Sequence, residues 1–341
     1  VDYIVENALK PVLAECNTIE ALKKIKVLDP ACGSGSFLVR ALEEINKRYI
    51  ELGNPGKTET KLMILLENIY GVDLDPQAIE LARLNLLIAA VDEKVHLPSL
   101  ANNIKNGNSL ISGTDEELKK YFGKDYRDKK PFNWQEEFPQ VFKQEGFDVV
   151  IGNPPYIDSE EMTKTQIDFR DYCLEHYKTA KGNWDLFCIF MEQGMNLLKD
   201  DGMLGMIVPN KIISAKYADA TRDFLSSYSI LKIADYSTIA VFGASVYPVV
   251  LVAKKNRTKN DSIEVVINHG KDMPISSTFR TFSGNILSEH VNGWAPLFEE
   301  NRDLDFFDAL IQRFAKLEDI ETFSVTGAAT VGGAYEIKKI L

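Results

Sequence analysis

Short apolar runs alternate with amphipathic segments along the first 255 residues. Each run is apolar at consecutive positions, which is typical of strands buried on both faces of a parallel sheet. Seven such strands are predicted: Lys26–Asp29, Asn68–Asp73, one near Ile104, Phe147–Ile151, Met203–Val208, Ile230–Tyr236 and Tyr247–Lys254.

The segments between these runs have helical periodicity. From Ser36 to Tyr49 the apolar residues recur on one face, and Asp75 followed by Pro76 is a typical N-cap with proline in the first turn of a helix that runs to about Ala90. Two further helices are predicted over Trp184–Leu198 and about Ser214–Tyr228. The pattern predicts an α/β fold, with a seven-stranded, mostly parallel sheet and helices on both faces.

Two regions depart from the alternation. The stretch from Ser112 to Glu145 is polar and irregular and is predicted to be an insertion before the strand at Phe147. After about Asn256 the alternation fades, and the sequence ends in the glycine-rich stretch Thr326–Tyr335. We therefore divide the chain into a domain over residues 1–255 and a different region over 256–341. The uncapped helix at residue 1 and this ending lead us to expect a fragment of a longer protein.

Charge and composition narrow the function. The net charge of −11 opposes a general nucleic-acid binder, and 26% charged residues is ordinary for a soluble protein. Between Gly205 and Asn260, however, eight basic residues face three acidic ones. This local excess fits either a phosphate-binding surface or a solvated face.

Targeting and metal signals are missing from the sequence. No apolar run has the length of a membrane span, and the first residues lack a signal-peptide pattern, so we expect a cytoplasmic protein. The four cysteines have no CxxC spacing, which predicts neither a metal site nor a disulfide framework. Cys16, Cys173 and Cys188 are predicted to be small buried residues.

The strand ending at Ile151 leads into the most specific candidate site, Gly152-Asn153-Pro154-Pro155-Tyr156. Two prolines stiffen the loop and remove N–H donors. The side-chain oxygen of Asn153 and the carbonyl of Pro154 then offer two acceptors for an exocyclic amino group, and the Tyr156 ring offers a stacking face.

The first strand also ends in candidate chemistry, the loop Asp29-Pro30-Ala31-Cys32-Gly33-Ser34-Gly35. Its glycines permit close approach of a ligand to the backbone, and the following helix presents free N–H groups. The loop lacks the Gly-Lys-Ser/Thr ending of a phosphate loop and the full GxGxxG spacing of dinucleotide folds. We interpret it as a site for a nucleoside-type cofactor.

Polar residues follow the next two strands as well. Asp73 is placed to accept hydrogen bonds from both hydroxyls of a ribose, whereas Asp75 before Pro76 is better suited to cap the helix. After the third strand, the Asn108 side chain is a candidate acceptor for an adenine amino group.

Taken in order, the segments DPACGSGSF, GVDLDP, NGNSL, IGNPPY, NWDLF, IVPNK and FGASVYPVVLV resemble the amino-group DNA methyltransferases whose cofactor motifs precede the catalytic motif. The similarity is strongest to adenine-N6 enzymes of the fused type IIG restriction–modification kind and covers about Val27 to Lys254. It implies the Rossmann-like methyltransferase fold and S-adenosylmethionine as cofactor. It also implies that Asp29 to Gly35 hold the methionine end, Asp73 the ribose and Asn108 the adenine, with Leu74 packing on the adenine ring.

The resemblance assigns further partners and residues. The substrate is a flipped-out adenine in double-stranded DNA, and Phe242 supplies a second stacking face beside Tyr156, unless it merely covers the sheet end. Asp185 either lines the cofactor pocket or caps its helix, and Val208–Lys211 is placed to border the DNA channel. A nuclease and a target-recognition domain belong to the same kind of polypeptide, so residues 256–341 are interpreted as a linker and the start of target recognition. A cofactor motif that precedes the first helix in this family is missing, so we expect weak cofactor binding by these 341 residues alone.

Other functions remain open. Protein-glutamine and RNA methyltransferases also use Asn-Pro-Pro-Tyr on a planar amino group. The long insertion and the extension after residue 256 favour a DNA enzyme with an appended reader. A cytosine-N4 enzyme fits less well because those usually replace the asparagine, and a non-catalytic DNA-recognition subunit fits less well because Asp29, Asp73 and Asn153 are all present.

Overall fold

The structure is a computed structural model, which describes residues 1–91, 95–237, 239, 247–256, 262–269, 276–283, 293–298 and 313. The chain divides into two compact units, Val1–Ala295 and Pro296–Leu341. The first unit contains all the described strands of the sheet.

The centre of the first unit is one mixed sheet. The described strands are β1 Val27–Asp29, β2 Ile69–Asp73, β3 Ile104–Asn106, β4 Phe147–Gly152, β5 Leu198–Pro209, β6 Ser229–Asp235, β7 Pro248–Lys254, β8 Ser262–His269 and β9 Ser276–Ser283. Their order is β3-β2-β1-β4-β5-β7-β6-β8-β9. Strand β7 is antiparallel to both of its neighbours, and β8 pairs with β6 in parallel.

All seven predicted strands are present, but the predicted number of strands was too low. Strands β8 and β9 extend the sheet beyond Lys254. Alternation in this part of the sequence is weak, because β9 pairs with β8 alone and several of its side chains are exposed. The first compact unit therefore continues past residue 255, and the assignment of 256–341 to a linker and target recognition stays a prediction.

Among the described elements, three helices precede β1 and the other helices lie between strands. They are α1 Asp2–Ala8, α2 Lys10–Glu15, α3 Ile19–Lys24, α4 Ser36–Glu51, α5 Thr58–Glu67, α6 Pro76–Ala90, α7 Asp115–Phe122, α8 Trp134–Glu137, α9 Pro139–Phe142, α10 Ser159–Thr165, α11 Ile167–His176, α12 Leu186–Leu197, α13 Lys211–Ser214 and α14 Asp219–Ser226. Short 3-10 turns occupy Tyr126–Lys129, Lys216–Ala218 and Ala295–Phe298. The helix predicted over Ser214–Tyr228 is present as a 3-10 turn followed by α14, and α13 ends at Ser214, where the predicted helix begins.

Two glycines show how closely helices cover both faces of the sheet. A Cβ at Gly205 in β5 would lie 2.7 Å from the Cβ of Ala8 in α1. On the other face, a Cβ at Gly194 in α12 would lie 2.7 Å from Leu204 Cδ1 in β5. Since neighbouring residues of a strand point to opposite faces, these contacts place α1 and α12 on opposite sides of the sheet.

The insertion between β3 and β4 is more ordered than its polar sequence suggested. It forms α7, α8, α9 and a 3-10 turn, and four of its aromatic residues are buried: Tyr126, Phe132, Trp134 and Phe138. Phe132, Trp134 and Phe138 pack against one another and onto Phe147 of β4 and Tyr70 of β2. These three aromatic residues lie in and beside the four-residue helix α8, which is too short for a helical periodicity to predict this packing.

Candidate active site

Four loops meet at one edge of the sheet, because β1, β2, β3 and β4 are parallel and end there. Together with parts of α11 and α12 they enclose a cavity of about 520 Å³. Its wall is formed by Pro30, Ala31, Asp73, Leu74, Asp75, Gly107, Asn108, Ser109, Leu110, Asn153, Pro154, Pro155, Tyr156, Ile157, Gln166, Phe169, Leu186 and Phe190. The described catalytic candidates and most of the cofactor candidates therefore share one space.

The loop after β1 turns sharply into α4. Gly33 and Gly35 have φ of 51° and 85°, in the left-handed region that favours glycine, and Gly35 is the N-cap of α4. The Gly33 N–H donates to Asp73 Oδ2 over 2.8 Å. The glycine loop and the acid after β2 are therefore held together directly.

Asp29, at the end of β1, is buried with 1% of its surface exposed. Its Oδ1 accepts a hydrogen bond from the Ala31 N–H at 3.0 Å. Burial, reinforced by the nearby charge of Asp73 and partly offset by this hydrogen bond, raises the pKa of Asp29 to about 8. The structure places Asp29 behind the cavity wall, where it shapes the loop.

Cys32, Gly33 and Gly35 also lie outside the cavity wall. The Cys32 side chain is buried next to β2, where a Cβ on Gly71 would lie 3.1 Å from its sulfur. Its thiol therefore packs in the core, like those of Cys16, Cys173 and Cys188, which are buried and free as expected.

The Asp73 carboxylate is oriented by two backbone donors. Oδ2 accepts from Gly33 and Oδ1 from the Asp75 N–H at 2.9 Å. Each carboxylate oxygen keeps a free lone pair, so the side chain can still accept hydrogen bonds from a ligand. Asp75 accepts from the Gln77 N–H at 2.8 Å and is the N-cap of α6, as its sequence indicates.

Leu74 is 53% exposed and lines the cavity, as expected for a side chain that packs on a ligand ring. Its backbone is held by a residue that the sequence did not suggest. The Asn106 side-chain amide donates to the carbonyls of Asp73 and Leu74, at 2.8 and 2.9 Å. The sequence signal that could have indicated Asn106 is its pairing with Asn108 in Asn106-Gly107-Asn108.

Asn108 lines the cavity as expected. Its Oδ1 already accepts from the Leu110 N–H at 3.1 Å, which forms a local turn and leaves one lone pair for a ligand. The neighbouring Ser109 is buried and donates from Oγ to the Pro30 carbonyl at 2.6 Å. Ser109 thus joins the loop after β3 to the loop after β1, a contact that sequence reasoning missed.

Asn153, Pro154, Pro155 and Tyr156 form the opposite part of the wall. The Tyr156 hydroxyl lies 2.6 Å from Asn153 Oδ1 and 3.1 Å from the Ile207 carbonyl at the end of β5. Burial raises the pKa of Tyr156 above its usual value, so the hydroxyl keeps its proton and donates a hydrogen bond. The asparagine that carries the proposed chemistry is therefore positioned by the tyrosine of its own motif.

The chain is similar to known proteins in sequence and in fold. The sequence profile described as the Eco57I restriction-modification methylase matches residues 67–242, just over half of the chain. The chain belongs to this family. A second profile, described as an RMKL-like methyltransferase domain, matches residues 3–114 and so includes the glycine loop.

Three curated relatives are similar over most of the chain. It is 29% identical to the type II restriction enzyme and methyltransferase RM.Eco57I of Escherichia coli over 83% of its length. It is 26% identical to the adenine-specific methyltransferase PglX of Streptomyces coelicolor over 74% and 28% identical to the type II methyltransferase M.BstVI of Geobacillus stearothermophilus over 87%. The chain spans 30%, 22% and 52% of the length of these three relatives.

Solved structures confirm the methyltransferase fold. A nuclease-deletion mutant of the restriction–modification enzyme LlaGI matches 90% of this chain with a TM-score of 0.59 and 14% identity, and the match covers 27% of that chain. The M protein of the type I restriction enzyme EcoKI matches 92% of this chain and 74% of its own, with a TM-score of 0.51 and 16% identity. The expected α/β methyltransferase fold is thus confirmed.

The remaining part of this methylase site comes from residues 157–190. Asp185 caps α12 by accepting a hydrogen bond from the Phe187 N–H. This is one of the two roles expected for it. Leu186 and Phe190 of α12 and Phe169 of α11 line the cavity. The sequence offered no motif for Phe169 or Gln166, because they join the site through tertiary packing of α11.

The described basic residues between Gly205 and Asn260 do not all lie at one end of the sheet. Lys211 and Lys216 follow β5 at the edge with the cavity and are exposed. Lys254 ends the antiparallel β7, so it lies at the opposite edge, where it pairs with Asp201 at 2.8 Å. Arg222 is buried and donates to the carbonyls of Ile212 and Ala215. Of the six basic residues of this stretch that the structure describes, Lys211 and Lys216 thus lie at the end of the sheet that carries the cavity, and the six do not form one patch.

Three further expectations concern Phe242, metal binding and membrane spans. Phe242 is outside the described residues. Within the described ranges, no cluster of histidine, cysteine, aspartate and glutamate has the arrangement of a metal site. No helix in the same ranges is long and apolar enough to cross a bilayer.

Proposed function

We propose that this methylase domain transfers a methyl group from S-adenosylmethionine to N6 of adenine in double-stranded DNA, within a larger restriction–modification protein. One observation carries the proposal. The cofactor candidates Asp73, Leu74 and Asn108 and the amine-binding candidates Asn153 and Pro154 line the same cavity. A donor and an acceptor of a methyl group must meet in one space for direct transfer.

The wall residues fit S-adenosylmethionine. The volume of about 520 Å³ lies within the range of ligand pockets. The glycine loop would hold the methionine end through Pro30 and Ala31, the two of its residues that line the wall. Asp73 would accept hydrogen bonds from the ribose hydroxyls, and Leu74 and Asn108 would contact the adenine. When bound, S-adenosylmethionine supplies an electrophilic methyl group on its sulfonium.

The chain's own contribution concerns the amino group of the substrate. The lone pair of adenine N6 is delocalised into the ring, so the nitrogen is a weak nucleophile. Asn153 Oδ1 and the Pro154 carbonyl would accept hydrogen bonds from the two N–H groups of the adenine amine and draw its nitrogen toward tetrahedral geometry. Because these acceptors are fixed by a proline-stiffened loop, they need little reorganisation during transfer. No strong base is needed beforehand, since the departing proton becomes acidic once the new bond forms.

The DNA part of the proposal rests on base access and on the relatives. The N6 atom of adenine is out of reach inside a duplex, so the base must leave the stack, and the Tyr156 ring would support it. PglX is named an adenine-specific methyltransferase and RM.Eco57I a type II restriction enzyme and methyltransferase. Another structurally similar protein is described as a DrdV–DNA complex, with a TM-score of 0.58. Nuclease and target-recognition segments on the same polypeptide complete the proposal.

The test uses the full-length protein, methyl-labelled S-adenosylmethionine and duplex DNA, followed by nucleoside analysis of the product. We expect label in N6-methyladenine, reduced about 100-fold or more in Asn153→Ala through loss of transition-state stabilisation. Asn102→Ala is the matched control, because Asn102 is exposed and lies outside the cavity wall. Label in protein glutamine, RNA or cytosine, or equal activity of Asn153→Ala, would contradict the proposal.

A further inference from the structure

Lys130, in the insertion between β3 and β4, touches two of the loops that form the cavity. Its carbonyl accepts a hydrogen bond from the Asn108 N–H at 2.7 Å. Its ammonium donates to the Leu74 carbonyl at 3.1 Å. One residue outside every recognised motif therefore joins the loop after β2 to the loop after β3.

The Leu74 carbonyl is held from two sides. Asn106 Nδ2 donates to it at 2.9 Å and Lys130 Nζ at 3.1 Å, so both lone pairs of the oxygen are used. Asn106 ends β3, whereas Lys130 belongs to the insertion. Leu74 itself is half exposed and lines the cavity, so these two donors hold the backbone from which its side chain projects.

The insertion is anchored well enough to act as a support. The Phe132 N–H donates to the Ile111 carbonyl at 2.7 Å, and the Trp134 indole donates to the Ser109 carbonyl at 3.2 Å. A Cβ at Gly107 would lie 2.3 Å from the Phe132 ring, so the loop after β3 is packed directly on the insertion. Lys130 thus projects from a fixed base.

The backbone of Lys130 is in an unusual conformation for a lysine. It has φ of 52° and ψ of 55°, the left-handed region where glycine and asparagine are commonest. In this conformation its carbonyl reaches Asn108 while its side chain reaches Leu74. Strained residues of this kind are concentrated at ligand sites, and glycine would satisfy the backbone better than lysine does.

We propose that Lys130 is a positioning residue for the adenosine half of the methyl donor. It fixes Leu74 relative to Asn108, so the insertion forms part of the nucleoside-binding site and is not simply an addition for reading DNA. The inference rests on the proposed function, since that function assigns the adenosine to these two loops. A purely structural Lys130 would stabilise the fold without affecting nucleoside binding.

The experiment compares Lys130→Met, Lys130→Gly and Lys130→Arg in the full-length protein. Lys124→Met is the control, because Lys124 lies in the same insertion, is exposed, and has no hydrogen bond or ion pair with the described residues. Calorimetry measures the Kd for S-adenosylhomocysteine and for 5′-methylthioadenosine, which keeps the ribose and adenine but lacks the amino-acid end. Thermal denaturation and steady-state kinetics are measured on the same samples.

We expect Lys130→Met and Lys130→Gly to raise both Kd values about tenfold, as for the loss of one charge-assisted hydrogen bond. The KM for S-adenosylmethionine should rise similarly with kcat little changed. Lys130→Gly should not lower Tm, because relief of the left-handed strain offsets the lost hydrogen bond, and Lys130→Arg should retain most of the affinity.

Several results would overturn the inference. Unchanged Kd values in both variants would do so while leaving adenine methylation by the parent protein intact. A loss for S-adenosylhomocysteine but not for 5′-methylthioadenosine, or a loss that always accompanies a lower Tm, would assign Lys130 a different role. If the parent protein binds neither ligand and methylates no adenine, the proposed function fails together with the inference.

Discussion

Gly152, the last residue of β4, lies against the carboxylate of Asp29, the last residue of β1. A Cβ at position 152 would be 2.7 Å from Asp29 Oδ1, closer than two such atoms can approach. The glycine before Asn153 therefore makes room for the acid that begins the cofactor loop. This contact couples the strand that carries the amine-binding loop to the strand that carries the glycine loop.

Replacing Gly152 by alanine should displace the Asp29 carboxyl and destabilise the protein by about 1–3 kcal/mol, as overpacking of a buried site does. The effect should shrink when Asp29 is shortened to alanine in the same chain, because the clash then disappears. A double-mutant cycle of chemical denaturation measures this coupling. Additive effects of the two substitutions would show that the contact does not matter.

Stability should depend on the titration of Asp29. Its pKa is about 8 in the folded protein and near 3.8 when unfolded, so between these values the folded state binds the extra proton. The contribution is therefore fully present below about pH 4 and is lost as the pH rises through 8. Asp29→Asn should flatten this part of the curve of unfolding free energy against pH. A variant curve parallel to that of the parent protein would contradict the assignment.

Asp73 and Asp75 should separate in their effects on ligand binding. Asp73→Asn removes the charge and places an amide N–H₂ near two backbone donors, so we expect the Kd for S-adenosylhomocysteine to rise about 10- to 100-fold. Asp75→Asn retains an acceptor for the N-cap of α6 and should change that Kd less than about threefold. Calorimetry on the two variants decides; equal losses would mean that Asp73 has no special role.

The hydrogen bond from Ser109 to the Pro30 carbonyl should contribute to both stability and affinity. Ser109→Ala leaves the buried carbonyl unpaired, at a cost of about 1–3 kcal/mol. Denaturant titration and calorimetry measure the two effects. Ser99→Ala is a suitable comparison, because Ser99 is exposed and lies outside the cavity wall. Wild-type stability of Ser109→Ala would exclude a structural role for this bond.

Lys211 and Lys216 should contact DNA phosphates if the duplex enters at the cavity edge. Substituting either by alanine should weaken DNA binding and lower the slope of log K against log salt by about one unit. Lys254, at the opposite edge of the sheet, provides the control: Lys254→Ala should leave the slope unchanged. Titrations of labelled duplex at several salt concentrations distinguish these results, and equal slopes for all three variants would place the DNA elsewhere.

Local sequence predicted the strands and the loops that follow them, because burial on both faces and turn residues leave local signals. The ends of α6, for example, follow from Asp75, Pro76 and the apolar periodicity that stops at Ala90. Asp73, Asn108 and Asn153 line one cavity for a related reason. Parallel strands bring their carboxyl ends together whatever the intervening sequence does.

Contacts between distant segments could not be predicted in this way. Phe169 reaches the cavity through the packing of α11, and Lys130 reaches Leu74 across 56 positions. The two ends of the basic stretch separate because β7 is antiparallel, a fact of topology that composition does not contain. Strand β9 was missed because an edge strand with polar, exposed positions lacks a buried pattern. Strand β8 lies between β6 and β9, and its buried Ile263, Val265 and Val266 form an apolar run that was not assigned to a strand.

The hydroxyl of Tyr156 has one hydrogen and two acceptors within reach, Asn153 Oδ1 and the Ile207 carbonyl. When the hydrogen points to Asn153, it uses one of the two lone pairs of the acceptor needed for the substrate amine. When it rotates to Ile207, that oxygen is released while the phenol remains hydrogen-bonded. Before a base arrives, the Asn153 oxygen therefore already has a hydrogen bond within the protein, so it need be neither without a partner nor bound to water. Its release for the substrate requires only a bond rotation and not the removal of a solvent molecule.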